Sequence, residues 1–475
     1  MRRLFLIAIY YGGALVAYVD PFYGVLMYTF MNIVRPEQLA WGDQHFAGRI
    51  FLIMQAACFT SWLFNKEKLT PEDTVLPRQV TLMIIVAVGM IVATIFATGP
   101  TDLSWKWTTA FMKTTLFCFV ITKSINTTKK LELYYVVLLF WFMFLEAWGI
   151  QQKLGGNVNI EGIGGDQLSN RNDLSAVVVL YFPMAYYSMF STQKWIKYCI
   201  GIPATIISAI FILFAGSRGA FLGLIASMAL IFLQTPGVRQ KFKMLITMAV
   251  IGGLFAAVII PLAPEGFFDE YTERLRTLLG EEEEDTGELE YEDSAAGRLA
   301  MWKAVYYLMK QHPEFWLTGM GLRGFSAIYI DYFDEIVPHL DDKEIPLILY
   351  GGGGGKAIHN TYLNIATSGG IIVFLPWMLL LFFSWFQAHN IPKKYPRIVN
   401  GVNIHNYALA IKAGLVGAGL NVMFINAEFV DFYYWQLVMI GVLVNLGKAK
   451  LKRERFGQDE AEEDLTDAFD TRLYT

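Results

Sequence analysis

The sequence predicts an all-α polytopic membrane protein with about 12 transmembrane helices and one long loop, outside the cytoplasm, that carries amphipathic helices. Three observations support this prediction. Of the 475 residues, 55% are hydrophobic and only 17% are charged, whereas soluble domains average about 25% charged residues. The apolar residues fall into blocks of about twenty, the length that spans a bilayer core. Lysine and arginine recur in short loops between these blocks, as they do at the cytoplasmic ends of membrane helices.

Eleven apolar blocks are candidate spans, at 48–64, 79–98, 105–123, 131–151, 172–190, 195–215, 218–235, 243–262, 357–385, 407–426 and 430–447. Residues 4–34 are also apolar but contain Asp20-Pro21, and a proline removes a backbone donor and interrupts a helix. This segment crosses either once with a kink or twice. A single crossing keeps Arg2 and Arg3 in the cytoplasm and gives twelve spans, and we expect this arrangement.

Basic loops indicate the orientation of the bundle, and they lie at 65–78, 123–130, 191–197, 239–243, 393–397 and after 447. Alternate crossings put all of them on the cytoplasmic side. Four regions follow: N-terminal transmembrane helices at 1–262, a large outer loop at 263–356, C-terminal transmembrane helices at 357–447, and a cytoplasmic tail at 448–475. The acidic end of the tail, 454–475, indicates disorder.

The large outer loop has three parts. Residues 265–280 place their apolar side chains on one helical face, which predicts a helix lying along the membrane surface. The acidic run 281–293 lacks the ligand spacing of a calcium site, so a solvated loop is expected there. A second helix, capped by Ser294, is predicted to follow.

Five glycines at 351–355 precede Lys356 and His359. A phosphate-binding P-loop requires the pattern G-x-x-x-x-G-K-[ST]. Tyr350 and Ala357 occupy the first glycine position and the Ser/Thr position of that pattern, so a P-loop is excluded. We interpret the run as a hinge between the outer loop and the next span.

His359 lies at the outer end of the span 357–385, where Asn360 and Lys356 make a polar cluster beside it. The plainer interpretation is an interfacial histidine whose hydrogen bonds are satisfied locally. Histidine is, however, the usual general base near neutral pH. His359 is therefore a catalytic candidate, with Asn360 and Lys356 as candidates for substrate binding.

Arg218 lies in a very short link between two spans, with Gly216 and Gly219 on either side. An arginine that snorkels to the interface is the alternative interpretation. Positive charge is depleted on the outer side, however, and the fork of a guanidinium suits a phosphate group. Arg171, in the glycine- and asparagine-rich loop 152–171, is a weaker candidate for binding sugar or phosphate, and a plain connector accounts for that loop as well.

Arg298 and Trp302 are four residues apart in the predicted second helix of the outer loop, hence on the same face. Arg218, Arg298 and His359 come from three separate segments that the topology puts on one side. Two cations and a base at one membrane face suit a membrane-embedded diphosphate. The chain contains no Asp-x-Asp, so neither a metal nor another cofactor is expected.

Several motifs resemble the O-antigen ligase and polymerase superfamily over roughly 130 to 447: GSRGAFLG, then GRLAMW and HPEFWLTGMGLRGF after the long loop, then HNTYLNIATSGG. The opening RRLFLIAIYYGGALVAYVDPFYGVLMYTFMNIVRPEQLAWG resembles the exosortase-associated O-glycosylation ligase branch. Arg323 lies in the motif GLRGF and joins the candidates for substrate binding. The glycine run before His359 is not part of the family pattern.

The resemblance implies a metal-independent glycosyltransferase in the cell inner membrane with its active site facing the periplasm. Its donor would be a glycan on undecaprenyl diphosphate, and its acceptor a hydroxyl of lipid A core, as in lipopolysaccharide, or of a protein. The family's motif residues correspond to Arg218, Arg298 and His359. No nucleic-acid partner is expected.

Three other functions remain open. A polysaccharide polymerase would pass the glycan to a growing carrier-linked glycan. A transporter of polysaccharide or lipid-linked sugar is the second, but the spans carry almost no charge at their centres, which argues against a polar path. A membrane scaffold is the third, and it leaves Arg218 in so tight a turn unexplained.

Overall fold

A computed structural model of the chain describes residues 2–36, 47–65, 76–155, 167–168, 170–259, 295–349 and 356–456. Helices account for nearly all of its secondary structure. They are α1 Arg2–Ala17, α2 Pro21–Val34, α3 Ala47–Phe64, α4 Arg78–Ile95, α5 Thr101–Ser124, α6 Thr128–Leu154, α7 Arg171–Ser188, α8 Ile202–Ala215 after a π-helical turn at Ile196–Gly201, α9 Arg218–Gln234, α10 Val238–Ile259, α11 Ala295–Gln311, α12 Phe315–Thr318, α13 Gly324–Ile328, α14 Phe333–Ile336, α15 Ile345–Leu349, α16 Thr361–Lys394, α17 Ile404–Asn421 and α18 Asp431–Phe456.

Within the described ranges, four helical stretches are long and apolar enough to cross a membrane: Arg78–Ile95, Thr128–Leu154, Ile196–Ala215 and Thr361–Lys394. Four shorter apolar helices accompany them, at Leu6–Ala17, Pro21–Val34, Phe51–Phe64 and Arg218–Gln234. The chain is thus a multi-pass, α-helical membrane protein, as predicted. The predicted count of twelve spans is not confirmed by these helices, and it includes residues 4–34 as one crossing.

Residues 4–34 form a helical hairpin, and the single kinked crossing expected from the charge rule is wrong. Asp20 caps α2 by accepting a hydrogen bond from the Phe22 amide at 2.9 Å. The helices then run back along each other, because a Cβ added to Gly13 would lie 2.5 Å from the Met27 side chain. Lys130 pairs with Asp20 at 2.6 Å, so the turn lies at the same end of the bundle as the basic loop 123–130.

The helix α16 is broken at Gly370, whose φ of 55° and ψ of −160° are not helical. An unbroken helix would separate Tyr362 from Trp377, fifteen residues on, by about 22 Å. Their ring centroids lie 5.7 Å apart. The chain therefore folds back at Gly370, and the predicted span 357–385 is two segments, 361–369 and 371–394.

Residues 295–349 pack into a separate hydrophobic cluster that reaches Ile358 and includes Met301, Leu308, Phe325 and Tyr329. This cluster docks on the fold-back of α16. A Cβ added to Gly319 would lie 2.5 Å from the Ser368 backbone, and the Met320 amide donates to the Thr367 carbonyl at 2.8 Å. The predicted surface helix 265–280, the acidic run 281–293, the glycine run 351–355 and the tail beyond 456 lie outside the described residues.

The helices α7, α9 and α17 pack closely because glycines occupy their crossing points. A Cβ added to Gly223 would lie 2.6 Å from the Gly417 carbonyl and 3.0 Å from Val179. Small residues allow such close approach of membrane helices. Arg218 and Arg171 lie one to two turns before this crossing on α9 and α7, hence at the same end of the bundle.

One short β-hairpin departs from the all-α prediction. Ile398–Val399 pairs antiparallel with Val402–Asn403. The two residues between the strands, Asn400 and Gly401, have φ of 44° and 77°. An Asn-Gly pair with both φ positive is the favoured two-residue hairpin turn.

Candidate active site

His359 adopts a left-handed backbone conformation, with φ of 51°, two residues before α16 begins. Non-glycine residues rarely have positive φ, and such strain persists only where the surroundings hold it in place. Two neighbours do so. The Ile358 carbonyl accepts a hydrogen bond from Trp302 Nε1 at 3.0 Å, and Asn360 caps α16 by accepting from the Leu363 amide at 3.1 Å. The histidine side chain is half-buried.

Hydrogen bonds of Thr361 connect the start of α16 to the segment 422–430, which links α17 to α18. Its amide donates to the Val422 carbonyl at 2.9 Å. Its hydroxyl donates to the Ile425 carbonyl and accepts from the Ala427 amide, each at 2.8 Å. These three bonds fix segment 422–430 against the backbone that carries His359.

Arg218 is the first residue of α9, and it is half-buried. Gly216 ends α8 with φ of 60°, which confirms the tight turn that the sequence predicts. A Cβ added to Gly219 would lie 3.3 Å from Phe424 and 3.4 Å from Asn421 Oδ1. The helix that carries Arg218 therefore begins directly against segment 422–430.

Arg298 lies on α11, one turn before Trp302, and is half-buried. The ring of Trp302 lies 6.4 Å from that of Phe424. Phe424 thus contacts both the residue after Arg218 and the tryptophan that supports Ile358. The segments that carry Arg218, Arg298 and His359 therefore meet around Phe424.

Two contacts fix the orientation of the Arg323 side chain. Its Nε donates to Glu428 Oε1 at 3.3 Å, and its guanidinium carbon lies 3.7 Å from the ring centre of Trp107. Asn364 Nδ2 donates to the same carboxylate oxygen at 2.6 Å. Among the described residues no acceptor takes a hydrogen bond from the terminal Nη atoms of Arg323, so these atoms are available to donate to an anion.

The buried carboxylate of Glu428 holds this arrangement. Burial raises the pKa of Glu428, while Arg323 and Asn364, as a charge and as hydrogen-bond donors, oppose that rise. Its second oxygen, Oε2, is buried without a hydrogen-bond partner among the described residues. Glu428 therefore ties Arg323 to Asn364 of α16, about one turn beyond Asn360.

The remaining candidates occupy different settings. Lys356 is buried, and its ammonium donates to the Leu347 carbonyl, which ties residues 345–349 to the chain just before His359. The side-chain oxygen of Asn360 caps α16, and among the described residues its Nδ2 is left for a ligand. Arg171 is half-buried at the first position of α7, at the same end of the bundle as Arg218.

An apolar cavity of about 340 Å³ begins at Thr361 and Tyr362 and extends between α16, α17 and α18. Along α16 it is lined by Trp377, Leu381 and Trp385. The end of the cavity at Thr361 lies two residues along the chain from His359. A hydrocarbon chain in this cavity would thus have its head at the candidate site.

Three residues of this region escape the sequence analysis: Phe424, Asn421 and Glu428. The carboxylate of Glu428 lies in the short link between two apolar blocks, the same signal that singles out Arg218. Phe424 and Asn421 carry no such signal because only the tertiary fold puts them beside α9. Among the described residues no group of three His, Cys, Asp or Glu side chains could hold a metal ion.

Two family models match parts of the chain. Residues 203–378 match the family model described as O-antigen ligase, and residues 1–192 match that of a family of unknown function (DUF5935). No curated protein matches the chain. The first match includes every candidate except Arg171, and its family implies glycosyl transfer between a lipid-linked donor and a glycan acceptor in the bilayer. Over residues 203–378, the chain is therefore similar to the O-antigen ligase family.

Proposed function

We propose that the protein transfers a glycan from undecaprenyl diphosphate to an acceptor hydroxyl on the periplasmic side of the inner membrane. Arg218 and Arg298 bind the diphosphate, and His359 is the general base. The observation that carries the proposal is the meeting of three distant segments around Phe424, which lies 6.4 Å from Trp302 and against Gly219. The sequence alone suggests this grouping only through topology.

The chemistry requires one proton transfer and one displacement. His359 accepts the proton of the acceptor hydroxyl as that oxygen forms a bond to the anomeric carbon of the glycan. The bond from that carbon to the diphosphate oxygen breaks, and the carrier diphosphate leaves with the bonding electrons. Arg218 and Arg298 stabilise the charge that develops on it. No metal is needed for this step.

The buried side-chain amide of Asn421 is evidence for a polar ligand beside Arg218. Its side chain is fully buried, and neither amide atom has a hydrogen-bond partner among the described residues. Buried amides are nearly always hydrogen-bonded. A phosphate oxygen or a sugar hydroxyl at this position would satisfy it.

The cavity supports a donor with a long apolar tail. It lies between helices, it is lined mainly by aliphatic and aromatic side chains, and it begins at Thr361. An isoprenoid chain in the cavity would hold the carrier diphosphate near His359. Arg323, whose Nη atoms have no acceptor among the described residues, is in place to bind a second anionic group of the donor or of the acceptor.

Purified protein with a lipid-linked glycan and a candidate acceptor tests the proposal. Arg218→Ala, Arg298→Ala and His359→Ala should each lower transfer by at least about a hundredfold while the protein still purifies as a folded species. Arg397→Ala is a matched control, because Arg397 is exposed in the loop after α16. Full transfer by the His359 variant would exclude the general-base role.

The identity of the acceptor distinguishes a ligase from a polymerase. Lipid A core or a protein as acceptor gives one product per transfer. A ladder of carrier-linked chains in the same assay would instead show a polymerase. Flipping of the donor with no acceptor present would favour the transporter.

A further inference from the structure

Three basic side chains converge at the opposite end of the α16–α17 pair from His359. Lys393 Nζ lies 3.0 Å from His389 Nε2, and Lys412 Nζ lies 3.4 Å from His389 Nδ1. His389 follows Trp377 by twelve residues, or about 18 Å along the helix axis. This basic cluster, His389, Lys393 and Lys412, is therefore separate from the candidate active site.

The two lysines cannot both be satisfied by His389. A neutral imidazole accepts a hydrogen bond at only one of its nitrogens, and an ammonium group only donates. One lysine therefore faces an N–H group, and a protonated ring would add a third positive charge. The arrangement needs an acceptor that the three side chains do not supply.

No carboxylate supplies it within the described ranges. Among these residues, Lys412 contacts His389 and the Trp385 ring, whose centre is 6.0 Å from its ammonium, and Lys393 contacts His389 alone. Lys412 is only 6% exposed. Burying an ammonium without a counter-charge is costly, so an external anion would stabilise the cluster.

The surroundings of the cluster indicate that this anion belongs to a lipid. The ring of His389 stacks on Trp385 at 5.8 Å, and tryptophan is typical of the membrane–water interface. On the same helix Phe382 and Phe386 are 64% and 60% exposed, where a bilayer would cover them. Basic pockets between transmembrane helices bind acidic lipid headgroups, whereas a free phosphate would gain nothing from the aromatic face.

We propose that His389, Lys393 and Lys412 bind the phosphate of an anionic phospholipid, whose acyl chains lie along Phe382 and Phe386. The phosphate lies between the two ammonium groups and accepts from both. His389 then donates through one nitrogen, and its other nitrogen accepts from a lysine. Phe382 and Trp385 also line the apolar cavity that begins at Thr361, whereas the three basic side chains do not.

Native mass spectrometry of the delipidated full chain, titrated with phosphatidylglycerol or with phosphatidylcholine of the same acyl chains, tests the site. Phosphatidylglycerol should bind the wild-type protein at least about fivefold more tightly than phosphatidylcholine. Lys393→Gln and Lys412→Gln should each reduce that preference severalfold. Lys394→Gln is the matched control, because it removes the same charge from an exposed neighbouring position and should leave the preference unchanged.

Three results would overturn the proposal. Equal affinity for the two lipids would remove the need for a charged headgroup. An equal loss in the Lys394 variant would show only general attraction of a basic loop. Inorganic phosphate that displaces phosphatidylglycerol at equal concentration would make this a free-anion site. Lys393 is exposed, so the Lys393 variant tests the lipid preference even where replacement of buried Lys412 disturbs folding.

Discussion

The rings of Tyr362 and Trp377 lie 5.7 Å apart at an interplanar angle of 72°, across the break at Gly370. This contact exists because the chain reverses there, and the reversal brings the start of α16 alongside its own second segment. Tyr362 also donates to the Gly419 carbonyl at 2.9 Å. The strained backbone at His359 is thus held by a fold-back that depends on one glycine.

Gly370→Ala should destabilise the protein by about 2 kcal/mol or more, because a left-handed φ of 55° disfavours any Cβ. The added atom would also overlap the Leu317 backbone. Thermal unfolding in detergent measures the effect. Gly252→Ala is the control, since a Cβ added there meets nothing within 4 Å. An equal melting temperature for Gly370→Ala and wild type would contradict the fold-back.

Trp302→Phe should lower glycan transfer by about tenfold, because the ring stays near Phe424 while the hydrogen bond to the Ile358 carbonyl, 3.0 Å long, is lost. Small misplacements of a catalytic group are costly in rate. Trp316→Phe is a matched control that loses a similar bond, from Nε1 to the Met309 carbonyl at 2.7 Å, without a contact to Ile358. Equal rates for the two variants would show that Trp302 does not position His359.

The variant Asn421→Leu separates the effect of Asn421 on substrate binding from its effect on protein stability. Removing a buried amide that has no partner among the described residues should leave stability unchanged or raise it by up to about 1 kcal/mol. Transfer should fall by about tenfold if the amide contacts the donor or the acceptor. A variant with full activity would show that Asn421 contacts neither the donor nor the acceptor.

Part of this site is predictable from sequence because its determinants are local. The turn at Gly216 and the position of Arg218 follow from two glycines between two apolar blocks. The break at Gly370 is not predictable in the same way, because SGGIIVFLP continues the apolar pattern of a helix. Only the close approach of Leu317, more than fifty residues earlier, requires a glycine there.

The hairpin of α1 and α2 shows the same limit. The charge rule weighs Arg2 and Arg3 and favours one crossing. The observed reversal depends on non-local contacts: Lys130 with Asp20 at 2.6 Å, and Ser61 with the Ala17 carbonyl at 2.5 Å. Phe424 and Glu428 likewise become part of the site only through the packing of α17 and α18 against α9 and α16.

Arg323→Lys should weaken substrate binding although it keeps the charge. A lysine cannot donate to Glu428 as Nε does and also lie flat on Trp107. We expect KM to rise by about tenfold, with a smaller change in kcat. Glu428→Gln keeps an acceptor for both Arg323 and Asn364, so its KM should change less. A lower kcat at constant KM in Arg323→Lys would place Arg323 in the chemical step.

His312 gives a pH dependence outside the membrane-spanning segments. Its Nδ1 lies 2.8 Å from Glu314 and its Nε2 lies 2.8 Å from Glu335. Burial lowers the pKa of His312, but hydrogen bonds to the two carboxylates outweigh this, and the net pKa is raised above its ordinary value of 6.5. A raised histidine pKa gives stability that is fully present below about pH 6.5 and is lost as the pH rises through the folded value.

His312→Gln should therefore destabilise the protein by about 0.5–1 kcal/mol at pH 6 and by much less at pH 9. Melting temperatures of both proteins across that range measure the difference. His339→Gln is the control, because it removes an imidazole that stacks on Tyr307 at 4.3 Å and bonds to Gln311 instead of to a carboxylate. A His312 effect that is constant from pH 6 to pH 9 would show that the ring acts through packing on Phe315 and Tyr332 instead of through its charge.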